Sequence, residues 1–344
     1  MPRVPLSVLD LATVRDGHSS GDALRGTIEI AEAADGLGYS RFWVAEHHNM
    51  PAVASTSPPV LIAAVAAHTD RIHVGSGGVM LPNHMPFVVA EQFAMLEALY
   101  PGRIDLGIGR APGTDQGTAR ALRRTTGTLS ADDFPQQLGE LRRYFDESGG
   151  TGIIAMPAPG NRPPLWLLGS SGYSAQVAGA LGLPFAFAHH FSPANTLPAL
   201  ELYRTSFRPS SELAQPYAMV AASVVAAETD AEAHRIAAPG GLAFLRLRSG
   251  RPGLFPSPEE AVEYPYSPME RDWMRERLES QVVGDPDTIR DQLEVLLAQT
   301  EADELMVTTM VHGHADRLRS YELVADAFGA GQLSSGASDQ AVLR

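Results

Sequence analysis

The stretch FWVAEHH at residues 42–48 decides the fold. It begins as an apolar run suited to a buried strand and ends on a carboxylate, Glu46, followed by His47 and His48. Parallel strands covered on both faces are almost continuously apolar, and in barrels built from such strands the active site lies at the strands' carboxyl ends. The stretch therefore indicates a candidate active site, although a loop-capping glutamate and a packed histidine would look the same.

Seven further apolar segments alternate with helix-like segments along the chain. The predicted strands are residues 4–9, 41–45, 71–75, 103–108, 165–168, 184–188, 217–226 and 304–309. The predicted helices are residues 21–37, 58–67, 86–99, 132–147, 173–181, 194–205 and 314–328. Eight βα units in order predict a parallel sheet, and eight strands close a TIM (β/α)8 barrel. A doubly wound open sheet is the alternative, but its glycine-rich phosphate fingerprint is missing from the first turn.

The segment between the seventh and eighth predicted strands is longer than a βα unit requires. Residues 239–270 are rich in proline and glycine, a composition typical of loops. Because long loops in compact domains are usually functional lids or disordered segments, we predict a mobile lid over the strand ends. We expect one domain over residues 1–330 and a flexible C-terminal tail over residues 331–344.

Composition excludes several classes of partner. The chain has 344 residues, a net charge of −14 and no cysteine. The negative charge argues against binding to nucleic acid or an anionic membrane, and the absence of cysteine excludes disulfides and thiolate metal sites. The N-terminal residues lack the apolar core of a signal peptide, and no apolar run reaches transmembrane length. We therefore expect a soluble, cytoplasmic protein.

Three other strand ends carry unusual residues. The third predicted strand leads into GSGGVMLPNH at residues 75–84. The glycines there would let a flat ligand approach the backbone or permit a strained peptide, or they simply form a bulge. The fourth leads into GIGRAPG at residues 107–113, whose Arg110 is a candidate for binding phosphate or an anionic ring edge, or for a surface ion pair. The fifth leads into GSSGYSA at residues 169–175 and a helix start that suits a phosphate or a serine cap.

Histidines also end the sixth predicted strand. His189 and His190, together with His47 and His48, are residue types that bind metals. The seventh and eighth strands do not end in residues that complete a clear ligand set. We therefore predict no metal site and keep a metal-dependent hydrolase as an alternative.

Together these motifs resemble the bacterial luciferase-like superfamily of flavin-dependent monooxygenases. The similarity is to its single-chain FMN-dependent group, which includes enzymes that tailor natural products such as aromatic polyketides. It rests on AEHH at residues 45–48, LPNH at 81–84, YPGRIDLGIGR at 100–110 and SSGY at 170–173. The resemblance covers most of the chain and does not specify a substrate.

The resemblance implies a TIM barrel with FMN at its mouth. Reduced FMN would come from a separate flavin reductase and form a C4a-hydroperoxide with O2, which oxygenates a small organic substrate. By position, His47 would be the catalytic histidine near the flavin C4a region, and Glu46, the second candidate catalytic residue, would support the ring region. The implied cofactor-binding residues are Ser76, Gly77, Gly78, Asn83, Arg110, Arg120, Gly169, Ser170, Ser171, Gly172, Tyr173 and His189. Arg123 is the alternative to Arg120 as a second cation.

The resemblance further implies three features of structure. A non-proline cis peptide would join Ser76 to Gly77, residues 239–270 would match the family's mobile loop, and the chain would form a homodimer. The apolar helices at residues 58–67 and 86–99 are candidates for the dimer interface. Two residues depart from luciferase itself, since His189 replaces a tryptophan and Gly77 a larger residue. An F420-dependent hydride-transfer enzyme and a non-catalytic flavin-binding protein of the same fold are the alternatives.

Overall fold

The computed structural model describes residues 4–111, 115–123, 133–146 and 153–329. The strands in these ranges are β1 Leu6–Asp10, β2 Arg41–Val44, β3 His73–Ser76, β4 Val79–Met80, β5 Ile104–Gly109, β6 Leu165–Gly169, β7 Phe185–Phe187, β8 Ala218–Ala226, β9 Val282–Gly284 and β10 Glu304–Thr308. The helices are α1 Ser20–Leu37, α2 Pro58–Ala66, α3 Pro86–Leu99, α4 Gln116–Arg123, α5 Phe134–Phe145, α6 Gly172–Leu181, α7 Thr196–Ser206, α8 Asp230–Arg248, α9 Pro258–Glu263, α10 Pro268–Glu279, α11 Pro286–Thr300 and α12 His314–Phe328. The predicted tail, residues 331–344, lies outside the described residues.

Eight of these strands close into a parallel barrel. The order is β10-β1-β2-β3-β5-β6-β7-β8, and β8 pairs with β10 to complete the ring. The predicted TIM barrel is therefore confirmed, with each of the eight predicted strands in the ring. Two short strands were not predicted from the sequence: β4 pairs with β5, and β9 pairs in parallel with the carboxyl end of β8. Segments of two or three residues are too short to show a periodic apolar pattern.

The insertion lies between β8 and β10, as predicted, but the prediction of a loop over residues 239–270 is wrong. Helix α8 continues through Pro239 to Arg248, and α9 and α10 fill most of the remainder. Pro258 and Pro268 occupy the first turns of their helices, where proline loses no hydrogen bond and its fixed φ favours the helix. The prolines that suggested a loop therefore begin two of the helices.

Serines cap both of these helices. Ser257 accepts from the N–H of Glu260, and Ser267 forms a capping box with Glu270. A Ser-Pro-x-Glu sequence is the signal for such a helix start, and here it outweighs the proline and glycine content that favours a loop. The irregular part of the insertion, between α8 and α9, is attached to the segment after β1. The N–H of Phe255 donates to the carbonyl of Val14 at 2.9 Å. The mobility of this segment stays a prediction.

The amino-terminal end of the barrel interior contains a buried charge network. Arg41 Nη1 donates to both carboxylate oxygens of Asp105 at 2.9 and 2.7 Å, and its Nε donates to Glu304 Oε1 at 3.1 Å. Ser7 and Tyr217 also donate to Glu304. All these groups lie at or near the beginnings of strands, so the network closes the end of the barrel opposite the predicted site.

In the part of the chain that the structure describes, no helix combines the length and the apolar character that crossing a membrane would require.

Candidate active site

Glu46 organises the carboxyl end of β2. Its carboxylate is fully buried, and Oε1 lies 2.8 Å from Nε2 of both His48 and His84. Oε2 accepts the N–H of Met80 at 3.0 Å. Burial pushes the pKa of Glu46 upward, but the hydrogen bonds from His84, His48 and Met80 outweigh it and lower the pKa below its usual value. An ionised Glu46 therefore joins the segments that follow β2 and β3.

His47 is held differently from its neighbours. Its backbone N–H donates to the carbonyl of Ser55 at 3.1 Å, while its Nδ1 is buried with no hydrogen-bond partner among the described residues. Burial lowers the pKa of His47, and this outweighs the opposing electrostatic effect of the Glu46 carboxylate. At neutral pH the imidazole is therefore mainly neutral, which leaves it free to accept a proton.

The site brings Glu46, His48 and His84 together as a cluster, a combination that the sequence did not indicate. Ligand atoms of Glu46, His48 and His84 all lie within 4.8 Å of one another, a spacing from which a metal ion could be bound. The shared hydrogen bonds on Glu46 account for the same geometry without an ion. The sequence-based prediction of no metal considered His47, His48, His189 and His190 instead, and it stays a prediction.

The glycine-rich run after β3 packs tightly against β5. A Cβ on Gly78 would lie 2.8 Å from the carbonyl oxygen of Gly107, and one on Gly107 would lie 2.0 Å from that of Ser76. Ser76 Oγ donates to the carbonyl of Gly107 at 2.9 Å and accepts its N–H at 3.0 Å. The glycines are thus required by strand packing, and the Ser76 hydroxyl is already engaged by the protein.

The non-proline cis peptide joins Gly77 to Gly78 and not Ser76 to Gly77 as predicted. Ser76 is the last residue of β3, and the N–H of Gly77 still donates to the carbonyl of Val44 at 2.8 Å. The regular ladder with β2 therefore runs through the Ser76–Gly77 peptide, and the irregular bond comes one residue later.

A second part of the mouth lies where β5 and β6 end. The guanidinium carbon of Arg110 lies 4.1 Å from the ring centroid of Tyr173, in the first turn of α6. Ser171 is the N-cap of α6, yet its side chain makes no capping hydrogen bond. Gly169, Ser170 and Gly172 flank this turn. Free helix amides, an uncommitted hydroxyl and a nearby guanidinium are the groups that bind a phosphate.

The end of β7 supplies two histidines. His189 Nδ1 pairs with Thr196 Oγ1 at 2.8 Å, and burial lowers the pKa of His189. His190 Nδ1 lies 3.0 Å from the carbonyl of Ala221. Burial lowers the pKa of His190 to about 4; the hydrogen bond to Ala221 opposes this, and the charge of Arg277 adds to it. Both imidazoles are therefore neutral near pH 7.

The remaining predicted residues are placed less centrally. Asn83 is buried in a 3-10 turn that follows β4. Arg120 is exposed on α4 and makes no described contact with Arg110. The side chain of Arg123 lies outside the described part of the chain.

The residues that sequence reasoning missed are His84, as a partner of Glu46, and Arg277 of α10. Arg277 Nη1 donates to the carbonyl of His190 at 2.8 Å, which brings the insertion to the carboxyl end of β7. His84 belongs to the LPNH motif, but no local sequence pattern predicts its contact with Glu46. For Arg277 no local signal exists, because the contact joins residues 87 positions apart.

The closed barrel and its histidine-lined mouth define a TIM-barrel enzyme with its reactive groups at the strands' carboxyl ends. A family model described as luciferase-like monooxygenase matches residues 4–304. The chain belongs to this family, which makes it an oxidoreductase.

Individual relatives agree with this assignment. A luciferase-like monooxygenase of Escherichia coli strain K12 is 46% identical over 325 residues, covering 94% of this chain and 96% of the relative. The N-acetyl-S-alkylcysteine monooxygenase of Bacillus subtilis is 32% identical over 331 residues, covering 94% and 98%. The crystal structure of apo-MsnO8 superimposes with a TM-score of 0.88 at 43% identity, covering 95% of this chain and 99% of that one.

More distant solved structures show the fold alone. An FMN complex of the oxygenating constituent of 3,6-diketocamphane monooxygenase is 20% identical with a TM-score of 0.68, covering 95% and 98% of the two chains. An F420-dependent secondary alcohol dehydrogenase is 14% identical with a TM-score of 0.66, covering 95% and 99%. The fold therefore accommodates both FMN and F420.

Proposed function

We propose that this protein is a monooxygenase that uses FMN, delivered in the reduced form by a separate flavin reductase, and oxygenates a small organic molecule. The observation that carries the proposal is the pairing of Arg110 with Tyr173 at the start of α6, beside the unused Ser171 hydroxyl. Reduced FMN would supply the electrons that activate O2. Arg110, Ser170, Ser171 and the first amides of α6 would hold its phosphate.

The residues of the mouth fit this group. The buried, unpartnered Nδ1 of His47 suits a proton transfer beside a bound ring, and Glu46 fixes the backbone of the segment after β3. Gly77 and Gly78 leave that segment without side chains. The helical insertion over the mouth would keep water from the reacting atoms.

The function is tested by mixing the protein with reduced FMN and then with O2 in a stopped-flow spectrometer. We expect the protein to change the course of flavin reoxidation from that of free FMN. Reoxidation identical to free flavin, together with tight F420 binding in a parallel titration, would favour the hydride-transfer alternative. Tight FMN binding without oxygen-dependent turnover would favour the non-catalytic alternative.

The names of the relatives suggest which compounds to test first as substrates. Because one relative acts on N-acetyl-S-alkylcysteine, an N-acetylated thioether amino acid is the first compound to try, followed by aromatic polyketides. Oxygenated product is read by mass spectrometry with 18O2, which separates enzymatic incorporation from background hydrolysis. Incorporation from water alone would contradict a monooxygenase reaction.

Replacing Arg110 with methionine is expected to weaken FMN binding about ten- to a hundredfold, since hydrogen bonds to charged groups contribute about 1.5–3 kcal/mol. The affinity is measured by quenching of FMN fluorescence, and the free energy of unfolding is measured alongside. Arg143→Met, at an exposed position of α5, is the matched control and should bind FMN as the wild type does. Equal affinity of the Arg110 variant and the wild type would remove Arg110 from the cofactor site.

We further propose a homodimer formed through α2 and α3. These neighbouring helices expose large apolar side chains, among them Val60 (71% exposed), Leu99 (63%) and Met95 (55%). Large apolar side chains left exposed on neighbouring helices are the kind of surface that an interface covers. The double variant Val60→Glu/Met95→Glu is expected to be monomeric by light scattering, whereas Val295→Glu, on the exposed face of α11, should keep the wild-type mass. A monomeric wild type would overturn the proposal.

A further inference from the structure

Arg277 brings a positive charge from the insertion to the mouth of the barrel. It lies in the last turn of α10, and its Nη1 donates to the backbone carbonyl of His190 at 2.8 Å. His190 lies three residues after the end of β7, and its own N–H donates to the carbonyl of Ala221 in β8 at 2.9 Å. The guanidinium is therefore fixed over the end of the barrel where the reactive groups lie.

This charge has no counter-ion among the described residues. Its Nε is buried and has no hydrogen-bond acceptor in the part of the chain that the structure describes, and burial lowers the pKa of the guanidinium. Two other inward-facing arginines are paired, Arg41 with Asp105 and Glu304, and Arg317 with Asp10. A partly buried cation with an unsatisfied buried donor is costly unless an acceptor or an opposite charge completes it.

The surroundings of Arg277 are apolar or neutral. The ring centroid of Phe244 lies 5.1 Å from the guanidinium carbon. His190 is neutral near pH 7, as described above, so it neither neutralises nor repels the guanidinium. Glu46, the buried carboxylate of the mouth, is already engaged by His48, His84 and Met80. An anion with an apolar body is the complement of this corner.

We propose that Arg277 and Phe244 recognise an organic anion, a carboxylate attached to an apolar group, and that such anions are the substrate class of this enzyme. The carboxylate would accept from the guanidinium, and the apolar body would lie along Phe244. This inference rests on the proposed function in its reference to substrate. The flavin phosphate is the other oxyanion that could bind here, although Arg110 and α6 provide for it between β5 and β6.

The proposal is tested with two probes of equal shape, 3-phenylpropanoate and its neutral amide, 3-phenylpropanamide. Binding of each is measured by calorimetry to the protein with and without FMN. We expect the carboxylate to bind about ten- to a hundredfold more tightly than the amide. Arg277→Met should abolish this preference, and Arg277→Lys should retain part of it.

Arg275→Met is the matched control, because Arg275 lies on the same helix, is exposed and pairs with Asp272. It should keep the wild-type preference. Equal binding of the two probes by the wild type, binding of neither, or a preference that survives in Arg277→Met would each overturn the proposal. Thermal unfolding of every variant excludes loss of the fold as the cause.

The same experiment separates the two sources of oxyanion and the two proposals. Weaker FMN binding by Arg277→Met with unchanged binding of 3-phenylpropanoate would assign the guanidinium to the phosphate and overturn the substrate assignment. If the wild type binds no flavin, the proposed function fails, and the carboxylate preference is still measured in the flavin-free protein.

Discussion

Replacing Arg41 with methionine is expected to lower the free energy of unfolding by about 3–5 kcal/mol. Arg41 is the shared partner of Asp105 and Glu304 inside the barrel, and its removal leaves two buried carboxylates without a counter-charge. Neither carboxylate is accessible to solvent, so water cannot replace the lost hydrogen bonds without opening the barrel. Urea unfolding followed by far-ultraviolet circular dichroism measures the loss.

Arg25→Met provides the matched control. Arg25 forms an exposed pair with Asp22 one helical turn away, and exposed pairs contribute about 0–1 kcal/mol. If Arg41→Met were no more destabilised than this control, the network would not be a major contributor to stability. A pronounced loss in Arg41→Met alone would place the cost in the barrel interior.

Replacing His47 with alanine is expected to lower the yield of oxygenated product per flavin oxidised by about 10²–10⁴-fold, the range for loss of a positioned acid or base. The Nδ1 of the imidazole is buried and has no hydrogen-bond partner among the described residues, so this nitrogen is available for proton transfer. Hydrogen peroxide should rise as product falls, because flavin oxidation continues without transfer of oxygen to the substrate. Product and peroxide are quantified in the same reaction mixture.

Binding must be separated from chemistry in this experiment. His47→Ala should bind FMN as the wild type does, and His68→Ala, at an exposed position after α2, should retain full product yield. An unchanged ratio of product to flavin oxidised in His47→Ala would exclude His47 from proton transfer. Weakened FMN binding would instead make His47 part of the cofactor site.

Much of the architecture could be predicted because it is encoded locally. Each barrel strand is an apolar run that needs no distant partner to be recognised, and Glu46, His47 and Arg110 follow such runs directly. The carboxyl ends of parallel strands meet at one end of a barrel, so these residues were expected together. The family assignment from the same motifs is confirmed.

The insertion shows where local reasoning failed. Residues 239–248 continue α8 despite Pro239, and Gly241 lets the side chain of Met274 in α10 approach, since a Cβ there would lie 2.4 Å from it. Packing between helices outweighs the low helix propensity of these residues. Pro258 and Pro268 favour a loop by composition, but their positions directly after Ser257 and Ser267 favour helix starts.

The sequence by itself determined the alternation of strands and helices, the closure count of eight and the residues at most strand ends, because these depend on periodicity and neighbours along the chain. Only the tertiary structure decided that Glu46 binds both His48 and His84, that the cis peptide falls at Gly77–Gly78, and that Arg277 reaches His190. Apart from the contact with His48, which is local, these features depend on how closely strands and helices approach one another once the barrel has closed. Contacts set by such packing leave no periodic mark in the sequence.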